Sequence, residues 1–492
     1  MALLTLQLPP GLYAQGTEYQ SKGRWRDGSL VRWRDGAMQP VGGWSQFQTG
    51  TFAGIARGAA TWTDNTNNRW LVFGTAAKAY AMDDDGAITD ITPAGFSSGN
   101  VGATQQGGYG EGLYGGGTYG TPRPDIGAIT PATSWSWDTF GQLPIGCSDA
   151  DGKIYEWDLN TSNNLTAVTN APIDNVAAMV TAERFVVALG AGGDPRKVQW
   201  CDREGRTVWT PSAANQAGSW TLDTDGKIMF GSKGRGESLI VTTTSAHRMS
   251  YIGYPYVYSF DRVGSGCGAV SRKGFAEVDG RVFWMGEEGF FLYEGGYVKR
   301  VPCEVWDAVE DDIDMTEVTK VTAFHNDQFN EVWWLYPDSV SGEVSKYISF
   351  NYAEGYWSLG SVPASTIAAS GTFNTPLGLH TDQKVYEHEV GYTHGTYTPF
   401  CESGPVEIGD GERFVHVTRL IPDEDELATT KLTFKVKSYP TGTASSHGPF
   451  TMTEPTSVRF SGRQVVMRVE GVESTDWRFG VPRLEVVAGG TR

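Results

Sequence analysis

Short runs of aliphatic and aromatic residues, each closed by a tight turn, recur along this chain. No other feature constrains its fold as strongly. They appear in RWLVFGTAAKAYAMDDDGAITDIT (Arg69–Thr92), PIGCSDADGKIYEWD (Pro144–Asp158) and RFVVALGAGGDPRKVQWCDREGRTVW (Arg184–Trp209). They return in ESLIVTTTSAHRMSYIG (Glu237–Gly253), GRVFWMGEEGFFLYEGGYVKRV (Gly280–Val301) and NEVWWLYPDSVSGEVSKYISFNYAEGYWS (Asn330–Ser358). Runs this short, rich in β-branched and aromatic residues and ended by Gly or Asp-Gly, read as hairpins. Glycine supplies 63 of the 492 residues, nearly twice the usual proportion of about 7 %. Aromatic residues make up 12 %. Turn formers combined with large flat side chains point to an all-β protein.

The hairpin groups start roughly 40 to 70 residues apart, close to the ~40–50 residues of a propeller blade. The expectation is an irregular β-propeller of about six blades over residues 45–395. A parallel β-helix needs a strict short period, and none is visible. Val305, Val309 and Asp312–Ile313 have helical spacing after Pro302, so a short helix or a pair of turns is expected between blades. From Pro399 the strands lengthen, as in KLTFKVKSYP and SGRQVVMRVEG, and residues 396–492 read as an added antiparallel β-sandwich.

Residues 1–44 form an arm that either closes the propeller or belongs to a platform beside it. The arm contains GRWRDGSLVRWRDGAMQPVGGW (Gly23–Trp44), with Trp-Arg-Asp-Gly twice. Asp-Gly is a hairpin signal. A three-residue loop at Arg26-Asp27-Gly28 puts Trp25, Val31 and Trp33 on one face, and the same loop at Arg34-Asp35-Gly36 adds Ala37 and Val41. Arg24, Arg32 and Met38 fall on the other face. This reading makes the tryptophans core, in preference to a basic aromatic strip for nucleic acid.

GATQQGGYGEGLYGGGTYGTPRP (Gly102–Pro124) has Tyr109, Tyr114 and Tyr119 at a five-residue spacing among glycines. Glycine offers nothing to pack and loses much entropy on ordering, so no blade core forms from this stretch. A surface loop is expected, with the three tyrosines as candidate contacts to a channel or partner.

The formal net charge is −18. A protein that grips phosphates is usually basic, so tight nucleic-acid binding is not expected. Five cysteines, at 147, 201, 267, 303 and 401, are scattered without a CxxC, as for free thiols in a reducing compartment. The N-terminus lacks the basic start and long apolar run of a signal peptide, and no stretch of about 18 apolar residues suggests a membrane span.

The chemistry is sparse. DADGKI (Asp149–Ile154) and DTDGKI (Asp223–Ile228) start like calcium loops but lack the later ligands, and read as hairpin turns. The seven histidines show no metal spacing; His388 and His394 in YEHEVGYTH share a strand face, better read as a polar strand end than a zinc site. No nucleophile elbow, phosphate loop or dinucleotide fingerprint is convincing. No catalytic residue, cofactor or metal is expected.

The string LPPGLYAQGTEYQSKGRWRDGSLVRWRDGAMQPVGGW, the loop GYGEGLYGGGTYGTPR, GDPRKVQWCDREGRTVWTP, DGRVFWMGEEGFFLYEGG followed by VPCEVWDAVEDDID, SGPVEIGDGER and SGRQVVMRVEG together resemble tail structural proteins of tailed bacteriophages. Within that class the chain is similar to the tail nozzle (tail tubular) proteins of short-tailed phages. The resemblance implies a β-propeller with an attached β-domain and no enzyme activity. It implies a homo-hexameric ring below the portal and its head-to-tail adaptor, with tail fibre or needle proteins as neighbours. It implies DNA passing through without specific binding, no membrane insertion, and a place in the virion tail after synthesis in the host cytoplasm. On that view Arg24 and Arg32 are candidate inter-subunit charges facing Asp423, Glu424, Asp425 and Glu426, or Glu310–Asp314, of a neighbouring copy. The rival readings are a peripheral receptor- or glycan-binding propeller adhesin and a glycan-cleaving tail hydrolase.

Overall fold

The structure is a computed structural model and describes residues 2–105, 129–234, 236–408, 414–437 and 442–490. Seven consecutive antiparallel four-stranded sheets form a β-propeller. Blade 1 begins with the inner strand Ala56–Thr63, blade 2 with Trp135–Phe140, blade 3 with Ala177–Val180 and blade 4 with Ile228–Lys233. Blades 5 and 6 begin with Phe275–Val278 and Thr322–Asn326. Blade 7 consists of Ala364–Ala368, Leu377–His380 and Val385–His388, and takes its outer strand, Trp44–Gln46, from the arm. Seven blades appear where about six were expected, because blade 7 borrows a strand from a distant segment and leaves only a partial trace in the local hairpin pattern.

The blades pack through large side chains on alternate strand positions. Trp135 and Trp137 stack at 5.0 Å between blades 1 and 2, and Phe230 stacks on Phe275 at 4.1 Å between blades 4 and 5. Trp334, Trp357 and Phe290 meet between blades 5 and 6. Each of these rings removes some 150–250 Å² from water, which makes aromatics effective wedges between twisted sheets. The expected helix is present as Trp306–Asp312, and it buries Val309.

The C-terminal segment forms two further antiparallel sheets. One contains Val415–Ile421, Thr456–Gly462 and Arg483–Ala488, and Ala2–Thr5 of the arm adds an edge strand. The other contains Phe400–Ser403, Thr430–Lys437, Ser445–Thr451 and Gln464–Gly471, edged by Trp25–Ser29 of the arm. Alternate residues of both sheets, such as Val417, Leu484, Phe434 and Val469, join one hydrophobic cluster with Trp25 and Trp33 of the arm and Phe290 and Trp357 of the propeller. No helix among the described residues is long and apolar enough to cross a membrane.

The two Trp-Arg-Asp-Gly copies fold differently. Asp35-Gly36 is a two-residue turn, with φ of 52° and 82°, between Arg34 and Ala37. Positive φ at both positions is the turn that matches strand twist. Asp27-Gly28, by contrast, lies inside a strand paired to Phe400–Glu402, with a bulge after Trp25. The expected first hairpin is absent because tertiary pairing outweighs the local turn signal. The shorter second turn also reverses the expected place of Met38, which lies opposite Trp33 and is buried with it.

Candidate functional site

The arm's Arg32, expected at an inter-subunit surface, is buried at 2 % exposure. Its Nε and Nη2 donate to Glu331 at 3.1 and 3.0 Å, and its Nη1 and Nη2 donate to Glu389 at 2.9 and 2.6 Å. The guanidinium also lies 3.6 Å over the Phe329 ring. Burial opposes its charge, but the two carboxylates outweigh burial and raise its pKa. The outward placement failed because both faces of this strand are buried, Val31 and Trp33 on one and Arg32 on the other, and the partners that cover Arg32 lie some 300 residues away in sequence.

Arg24 is engaged within its own chain. It donates to Glu304 at 2.7 Å and lies 5.2 Å over Tyr13. Asp423, Asp425 and Glu426 are exposed, whereas Glu424 is half-buried and accepts from Ala428 N and the Thr430 hydroxyl. Tyr109, Tyr114 and Tyr119 lie outside the described residues. The flanks of their segment are placed. Thr104–Gln105 pairs with Ile129–Thr130, and Ala103 N donates to Glu317 at 2.8 Å. Glu317 belongs to a buried cluster in which Arg57 donates twice to Glu343, at 2.8 and 2.6 Å, and Lys320 contacts both carboxylates.

The seven inner strands surround the propeller axis. Between blades 2 and 5 it holds a cavity of about 230 Å³, with Asp138, Lys233, Arg272, Lys273 and Glu277 on its wall. Lys233 donates to Asp138 at 2.5 Å, and Asp138 also accepts from Val180 N at 2.7 Å. Glu277 accepts from the Ser232 hydroxyl at 2.7 Å and from Lys233 N at 2.8 Å. Arg272 pairs with Asp149 of the DADGKI turn, joining blade 5 to blade 2. Surrounding protein raises the Glu277 carboxyl and lowers Lys273, while burial brings Arg272 down to about 10. Three cations thus face three carboxylates. Such a balanced set does not concentrate phosphates. A cavity of this size is also below the range of about 300–1,000 Å³ that takes a drug-sized ligand.

A larger cleft, about 840 Å³, opens on the face of the propeller that carries the connections between blades. Lys227, Met229, Arg272, Glu288, Phe291 and Met315 are among its lining residues, with Ile129 at its edge. It offers apolar walls and a polar rim, without His or Cys. These axial and cleft residues were not singled out in the sequence; their only signal was a polar residue interrupting an apolar run.

Of the histidines, His380, His388 and His394 surround Trp44. His380 and His388 share a hydrogen bond of 2.8 Å between their Nε2 atoms, and His394 bonds Val41 O at 2.8 Å. Among the described residues no group of three or more His, Cys, Asp or Glu is placed to hold a metal ion. Four cysteines are buried and Cys303 is half-buried, all unpaired.

No family model matches the chain, and no curated protein matches it. Among solved structures it is similar to virginiamycin B lyase from Staphylococcus aureus, with a TM-score of 0.43 and 9 % identity over 70 % of this chain and 97 % of that one. It is similar to a fungal alcohol oxidase of the AA5 family in complex with copper, with a TM-score of 0.42 and 11 % identity over 92 % and 99 % of the two chains. It is also similar to YCF48 bound to a D1 peptide, with a TM-score of 0.39 and 9 % identity over 71 % and 97 %. The chemistry and partners of these proteins do not carry over at such distances; the chain is a β-propeller by its own sheet order.

Proposed function

We propose that this chain is a structural subunit of a short-tailed phage tail nozzle, six copies of which form a ring on the adaptor and guide DNA during ejection. The observation that supports this reading best is the arm. It gives an edge strand to each C-terminal sheet and the closing strand to blade 7, and its tryptophans enter the cluster shared by the propeller and both sheets. A chain stitched in this way is a stiff block, suited to a wall that must not deform under load. On this reading the DNA path runs between copies and not through a propeller. A wall whose copies each carry −18 repels phosphates and keeps the duplex centred.

The test is mass photometry of the pure protein with and without the purified adaptor ring. The proposal expects a six-copy increment on the adaptor. Binding of isolated copies to surface glycans, with no increment on the adaptor, favours the adhesin reading instead.

A further inference from the structure

The hairpin of blade 4 overshoots its sheet. Its strands, Ser245–Gly253 and Val257–Ser265, have nine residues each. The neighbouring strand Ser238–Thr242 pairs only as far as Met249, so, among the described residues, 250–259 pair as strands with each other alone. A free two-stranded ribbon is marginal in water. This one is braced against blade 3: Tyr258 donates to or accepts from Thr181 at 2.9 Å, Tyr251 donates to Gln216 at 3.3 Å, and Phe185 and Trp200 pack on Tyr258. What remains outside is the apex, with Ile252 at 55 %, Tyr254 at 66 % and Tyr256 at 77 % exposure. From Met249 to Phe260 there is no charged residue. A rigid, uncharged, aromatic knob is the usual form of an interface anchor, because little freedom is lost when it docks.

The topology supplies the matching hole. The apex turn, residues 254–256, lies at the opposite end of its strand from the turn at 243–244. Thr243 and Thr244 line the 840 Å³ cleft, so knob and cleft lie on opposite faces of the propeller. Two different patches on opposite faces can meet head to tail, a contact that closes into a ring when the rotation between successive copies allows it and otherwise runs on as a filament. We propose that the apex of one copy docks into the cleft of the next copy, with Ile252, Tyr254 and Tyr256 against Met229, Phe291 and Met315, and the tyrosine hydroxyls toward Lys227 and Glu288. This rests on the ring reading above. Copies that each carry −18 repel, and an uncharged stretch is where they approach most easily. Three anchors bury only several hundred Å², at the low end for a specific interface, so the pairwise contact is weak and gains from ring closure.

The test replaces Tyr256 with the photo-crosslinker p-benzoylphenylalanine, which keeps an aromatic ring at the apex. The pure protein is irradiated at its highest soluble concentration and again after assembly on the adaptor. The proposal expects cross-links between copies, mapped to peptides containing residues 227–229, 287–291 or 315–319. Ile252→Ser with Tyr254→Ser should cut their yield about tenfold or more, the loss of an interface anchor. Unchanged circular dichroism of that variant separates this loss from misfolding. Rings that form while Tyr256 cross-links elsewhere, or not at all, overturn the docking and leave the ring reading intact. Absence of both rings and cross-links overturns both. Co-sedimentation with phosphatidylcholine vesicles that depends on Ile252 and Tyr254, without cross-links between copies, overturns the docking in favour of a lipid surface.

Discussion

Arg32 and Glu331 meet through two parallel hydrogen bonds of 3.1 and 3.0 Å, both side chains 2 % exposed. Arg32 lies in the arm and Glu331 in blade 6. Glu389, beyond blade 7, completes the triad, and itself accepts from Gly42 N and Asn326. One buried cation thus ties the N-terminal segment to blade 6 and to the segment that follows blade 7, the blade whose outer strand the arm supplies. Planar two-pronged donation is a property of arginine that lysine does not share.

Arg32→Ala leaves two carboxylates buried and unpaired, and should cost about 3–5 kcal/mol, as for other broken buried pairs. Thermal melts should show a clear fall, with Arg32→Lys recovering only part of it. A melting temperature unchanged in Arg32→Ala would refute the pinning role.

Acid should loosen blade 7. Burial holds His380 down to about 2 and His388 to about 4; a neighbouring imidazole adds to this at each, and Glu389 opposes it at His388. Unfolded histidines titrate near 6.5, so between about pH 6.5 and 4 the unfolded state binds more protons, and stability falls as pH falls through that window. Replacing both residues with Asn should flatten the dependence of melting temperature on pH between 7 and 4.5. An equally steep dependence in the double variant would assign the effect to other groups.

Salt should promote self-association. Copies of net charge −18 repel over the Debye length, which shrinks from about 30 Å at 0.01 M to 8 Å at 0.15 M. Sedimentation velocity should show more oligomer as salt rises. Dissociation by salt would mean that ion pairs hold the copies together.

The axial charges should act as structure and not as a catalytic set. Asp138→Asn weakens the tie to Lys233 and Glu277→Gln the tie to Ser232, and each should lower the melting temperature modestly. Nuclease, peptidoglycan and glycan-release assays on the parent protein should give no turnover. Robust turnover lost in either variant would make the axis an active site.

The repeated hairpins and the longer C-terminal strands were legible because strand periodicity and turn residues are local. So was the helix near Trp306. The Asp35-Gly36 turn was legible as a turn, yet its length was not, since alternation alone fits either loop. Asp27-Gly28 could not be recognised as mid-strand, because the partner that overrides its turn preference, Phe400–Ser403, lies far along the chain. The same distance hid the closing strand of blade 7, the Arg32 triad and the axial charges. Each depends on which strands become neighbours, and hydrophobic pattern does not encode that at single residues.

Electron microscopy of tails containing this protein tests the central claim most directly. The account predicts a closed ring on the tail axis, with the DNA path between copies. Isolated copies at the tail periphery, or a duplex-wide channel through a single propeller, would contradict it.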